Sequence, residues 1–103
     1  MSVDFHSPAT SAVLTADGAV GTSGRDTIVW GLVVGAGADA ATASLYAGTS
    51  TGGTLQLVGK CVTANDSVSV DIGARGVYFS GGCYLDLTGT TPDITVVYSQ
   101  SNE

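Results

Sequence analysis

From Asp26 to Tyr98 apolar and polar side chains alternate in short runs, and glycine-rich turns separate the runs. Alternation with a period of two marks a β-strand that turns one face to a core. The first run, about Thr27–Val34, departs from this rule. Ile28, Trp30, Leu32 and Val34 make one apolar face, and Val29 and Val33, with Gly31 between them, make another. A strand that is apolar on both sides needs cover on both sides. A chain of 103 residues supplies one sandwich and little more. The second cover is therefore expected from another subunit.

The remaining runs are half-polar. Ala41–Ala47 sets Ala43, Leu45 and Ala47 against Thr42, Ser44 and Tyr46, and the flexible turn GTSTGG follows. Thr54–Val62 places Leu55, Leu57, Gly59 and Cys61 on one face. Ser67–Ile72 alternates Val68, Val70 and Ile72 with Ser67, Ser69 and Asp71. Short strands are also expected at Gly76–Ser80, at Cys83–Thr88 and from Ile94 to Ser99. Turn signals at this spacing, and no segment with a 3.6-residue apolar period, predict an all-β chain. The expected fold is a single, jelly-roll-like β-sandwich of about seven or eight short antiparallel strands. Residues 1–24 are small, polar and turn-rich and read as an extended N-terminal arm before a sandwich at 25–103. Within that arm Ala12–Thr15 can pair as a short strand ahead of an Asp17-Gly18 turn.

Composition narrows the partners. Charged residues make up 12%, and Lys and Arg number three against nine Asp and Glu, for a net charge of −6. That balance disfavours nucleic acid and anionic membranes, whose affinity comes from Lys and Arg. No apolar run approaches the length that spans a bilayer. The first residues carry neither a basic nor an apolar leader, so synthesis in a host cytoplasm is expected. Ser, Thr, Ala and Gly dress the surface, and they lose little side-chain entropy when covered by a neighbour.

No catalytic set emerges. His6 is the single histidine, with no second one to share a metal, and no Ser or Cys sits in a nucleophile context. No cofactor or metal site is expected, and the chain reads as a non-enzyme. The run GLVVGAG lacks the Lys-Ser/Thr and the helix of a phosphate loop. Cys61 and Cys83 both fall on apolar faces. Buried free thiols are favoured over a disulfide closed across the core, given the expected reducing compartment. Tyr46 and Tyr84 fall on polar faces, where they can stack on a sugar or anchor a protein interface. Candidate interface residues are Val29, Trp30, Val33, Tyr46 and Tyr84.

The ordered segments VWGLVV, ASLYAGT, GGTLQLVG, SVSVDIG, GVYFSGGCYLDLTGT and DITVVY, over about residues 27–98, resemble small β-sandwich proteins of tailed-bacteriophage virions. The arm matches nothing in that pattern. The resemblance implies a virion structural protein, a capsid decoration or cement subunit that binds the major capsid lattice. It also implies a closed homo-oligomer, with a trimer as the form that suits a threefold site. The Ile28–Val34 neighbourhood and the arm would make the contact. The alternatives are a tail or fibre accessory component, or a glycan-binding module built on Tyr46, Tyr84 and the GTSTGG turn.

Overall fold

The structure is a computed structural model that describes residues 9–70, 72 and 75–101. Nine strands follow in order: β1 (Thr10–Leu14), β2 (Gly18–Ala19), β3 (Thr27–Gly35), β4 (Ala41–Ala47), β5 (Thr54–Cys61), β6 (Ser67–Val70), β7 (Val77–Phe79), β8 (Cys83–Thr88) and β9 (Asp93–Gln100). One sheet runs β1-β9-β3-β6, with β7 also on β3, and the other runs β2-β8-β4-β5. Every pairing is antiparallel.

The pairings nest. β4 pairs with β5, β3 with β6 and β7, β2 with β8, and β1 with β9. A long antiparallel ribbon with its tip at the β4–β5 turn has these pairs. Rolling the ribbon brings β9 beside β3 and β8 beside β4. With β6 and β7 sharing one strand position, this is the jelly-roll order of two four-strand sheets. The expected all-β sandwich is therefore present, and its topology is that of a jelly roll.

The outermost ribbon revises the reading of the N-terminus. Five residues, Thr10–Leu14, pair with β9, Gly18 and Ala19 pair with β8, and Val20 is fully buried. The segment from Thr10 onward is part of both sheets, so the boundary at residue 24 is corrected. Its small, hydroxyl-rich composition reads as an arm because an edge strand packs only one face and needs few large side chains.

Val20, Val29, Leu32, Val34, Leu45, Phe79, Leu85, Ile94 and Val96 fill the space between the sheets, together with small residues of β4. Gly59 lets the sheets close. A Cβ there would stand 2.9 Å from methyls of both Val34 and Val70. At one end of the sandwich Gly82 has φ +123°, and a Cβ on it would meet the Gly48 carbonyl at 2.7 Å. Gln100 ties the end of the ribbon down. Its amide donates to the Val20 and Thr22 carbonyls and to Thr27 Oγ1, and its oxygen accepts from the Thr22 amide.

Two β-bulges overrule the alternation read from the sequence. In β3, Val29 faces Tyr98 while Gly31 faces Val97, so Trp30 is an extra residue. Thr27, Val29, Leu32 and Val34 consequently all point inward, and Trp30 and Val33 point out. In β5, Leu57 faces Leu45 while Leu55 faces Tyr46, so Gln56 is extra and Leu55 turns to the outer surface, 49% exposed. The inserted residue changes the inside–outside parity of everything beyond it.

Deleting Trp30 is therefore expected to leave the sandwich folded, because the shortened β3 regains plain alternation with the same residues inside. Loss of the indole contacts should cost about 1–3 kcal/mol in thermal or urea unfolding. A regular, bulge-free β3 would respond differently. The deletion would turn Leu32 and Val34 outward, and circular dichroism would show no cooperative transition.

Candidate functional surfaces

The described surface holds no cleft or internal cavity. Among the described residues no group of three or more His, Cys, Asp or Glu is placed to hold a metal. What the fold does present is two broad outer faces, one on each sheet.

The outer face of the first sheet is built row by row from the strand register. One row reads Val13, Thr95, Val33, Ser69 across β1, β9, β3 and β6. The next reads Ser11, Val97, Gly31, and a third reads Ser99, Ile28, Tyr78. The bulged Trp30 lies over this surface, its indole N–H donating to Ser99 Oγ at 2.9 Å. That contact covers Ser99, which is 4% exposed although it stands on the outer side. None of these residues carries a charge. Among the described residues, two carboxylates frame the face. Asp93 lies over Gly35 at one end, and Asp26, which accepts from the Gly81 amide at 2.7 Å, lies at the other. Burial by its neighbours, and then the nearby Asp26 carboxylate, hold the Tyr78 hydroxyl above its ordinary pKa.

The outer face of the second sheet has a different character. Tyr46 on β4 stands directly opposite Tyr84 on β8, with Leu55 on one side of the pair and Ala19 on the other. Ser44 faces Asp86 in the next row along the strands. Beyond that, Thr42 sits between Lys60 and Thr88. The GTSTGG turn joins Ala47 to Thr54, one residue past the tyrosine row, and is pinned by a 3.0 Å bond from the Gly48 amide to the Gly82 carbonyl.

The expected interface residues thus separate into three places. Trp30 and Val33, each 37% exposed, share the first face. Tyr46 and Tyr84 share the second. Val29 is fully buried between the sheets and makes no outer surface. This corrects its assignment, and the Trp30 bulge is the reason. Val13, Val97 and Tyr78 on the first face, and Leu55 and Val58 on the second, belong beside them although the sequence does not single them out. The alternation around Tyr78 sets it opposite Phe79, which is the one signal in the sequence that points to it.

The cysteines do not face each other. Cys61 is opposite Ala41 and Cys83 is opposite Ala47, at the two ends of β4. Six residues of strand separate them by about 20 Å, far beyond the reach of a disulfide. Both are free and buried, and burial pushes the Cys83 thiol up to about 12. The small-hydrophobe reading of these residues holds for that geometric reason. His6, Phe5 and Asp71 lie outside the described residues.

Compared with protein-family models, with curated proteins and with solved structures, the chain matches none.

Proposed function

We propose that this chain is a structural subunit that docks the outer face of its first sheet on a protein lattice, as a capsid decoration or cement protein of a bacteriophage virion. The observation that carries the reading is the set of uncharged rows around Trp30 and Val33 among the described residues. On a chain of net charge −6, the described rows of this face offer an approaching protein no carboxylate. Desolvating those rows leaves none of their own side chains charged and unpaired. Trp30 is held in one orientation by its bond to Ser99, so little freedom is lost when a partner covers it.

Size separates a tight dimer from a lattice contact. Four strands at about 4.8 Å and about five residues at 3.3 Å span roughly 300 Å². A stable pairwise interface needs about 800 Å² per partner. One such contact is weak, and attachment then depends on many copies acting together, as on a capsid. The resemblance to virion β-sandwich proteins points to the major capsid protein as the partner and to a homotrimer as the attached form. The jelly roll is common among viral capsid domains, which supports the reading by analogy alone.

Virions from a host that carries the gene are expected to contain the chain in many copies. Val33→Asp, which places a carboxylate on the face while leaving the core intact, should lower its occupancy about tenfold or more with an unchanged melting temperature. Virions free of the chain, or full occupancy by the Val33→Asp protein, would overturn the reading.

A further inference from the structure

We propose that the outer face of the β2-β8-β4-β5 sheet binds a neutral, extended polysaccharide, with sugar rings lying on Tyr46 and Tyr84. The proposal is independent of the docking reading, because this face lies on the opposite side of the sandwich and stays outward when the first sheet is covered.

The register places the two tyrosines directly opposite one another on neighbouring strands. Their Cβ atoms are then about 5 Å apart, so the two half-buried side chains line one strip of the outer face. Exposed Leu55 prolongs the strip onto β5. The hydroxyls of Tyr46 and Tyr84 are tied to no described residue. Beside the strip run the polar rows, with Ser44 opposite Asp86 and then Lys60 beyond. An apolar strip edged by a carboxylate, a hydroxyl and an ammonium matches the two sides of a sugar ring. The C–H face of the sugar lies on the aromatics, and its hydroxyls donate to Asp86 and accept from Lys60.

The alternatives fit less well. A protein laid flat over this face would cover Asp86 and Lys60, and each would need an opposite charge to offset its desolvation. A sugar hydroxyl serves either group while both stay wet. An anionic glycan would meet Asp86 on a chain of net charge −6. A single small sugar gains affinity by enclosure, and this surface has no cleft. A linked chain of sugars can instead lie along a flat strip and gain from several rings at once, as bases do on aromatic platforms.

Affinity electrophoresis tests this with the full chain, in native gels that contain hydroxyethylcellulose, xylan, galactomannan or dextran, with alginate as the anionic comparison. At least one neutral polymer is expected to retard the protein, and alginate is not. Tyr84→Ala should weaken the apparent affinity about tenfold or more, whereas Tyr84→Phe keeps the ring and should keep most of the binding. Circular dichroism checks that each variant is folded. Asp86→Ala, a change outside the core, gives a second reading and should also weaken retardation. The proposal fails if no neutral polymer retards the wild-type chain, if alginate alone does, or if Tyr84→Ala and Asp86→Ala both bind like wild type. It fails equally if Tyr84→Ala alters the sedimentation of the sugar-free protein, since the face would then be covered by a second copy.

Discussion

A chain that begins at Arg25 is expected not to fold. The residues it lacks hold the outermost turn of the ribbon, and both sheets depend on them. Leu14 and Ala12 stand opposite Ile94 and Val96 on the inward side of β9, and both of those residues are fully buried. Without β1, β9 becomes an unprotected edge and that end of the core opens to water. Val20 is buried at the end of the other sheet, where its amide donates to the Cys83 carbonyl at 2.8 Å. Burying a valine contributes about 1.5–3 kcal/mol. Gln100 would lose the Val20 and Thr22 carbonyls and the Thr22 amide, and the fully buried Thr27 beside it would lose its cover. Several kcal/mol are lost together, from a total that for a domain of this size is about 5–15 kcal/mol. Amide NMR spectra of residues 25–103 and of a chain that starts at Ala9 make the comparison. Collapsed, poorly dispersed resonances are expected for the shorter chain alone. A shorter chain with the full chain's dispersion would restore the reading of residues 1–24 as a separable arm.

Phe79→Ala is expected to be the most damaging single substitution. Phe79 is the largest fully buried side chain among the described residues, and it sits on a strand of three residues. Truncation of a buried phenylalanine costs about 3–5 kcal/mol, part of it the lost transfer term and part the cavity left behind. The upper end applies here, because β7 has little else to hold it. Its register against β3 covers Thr27, Ile28 and Val29, and Phe79 is the inward residue opposite Thr27. When β7 loosens, Tyr78 leaves the first outer face and the edge of β3 beside the Trp30 bulge is uncovered. Urea unfolding should show a lower midpoint at an unchanged slope. Phe79→Leu, which retains most of the volume, should recover more than half of the loss. A shift below about 1 kcal/mol for the alanine variant would mean that the core closes over the gap.

Most strand positions are legible in the alternation of the chain itself. Ala41–Ala47 and Cys83–Thr88 are found at the expected bounds, and the others differ by a few residues at their ends. Alternation reveals them because each strand packs one face and solvates the other. The two-residue β2 leaves no such mark, since Gly18 and Ala19 are too few to show a period. The first candidate face is legible in part. The excess apolar character of Ile28–Val34 marks a strand with unsatisfied surface, but alternation alone assigns Val29 to the wrong side. Leu55 reads as core for the same reason. A bulge inserts one residue without a compositional sign, and whether Trp30 or Gln56 is the extra one depends on which partner residue lies opposite.

Local periodicity therefore established an all-β chain, its turns and the existence of one overly apolar strand, because these follow from the chemistry of neighbouring residues alone. The jelly-roll order, the two bulges, the meeting of Tyr46 with Tyr84 and the parting of Cys61 from Cys83 were settled by long-range pairing. Such pairs join residues tens of positions apart, and their register comes from how two whole sheets close over one core, which no short window of sequence contains.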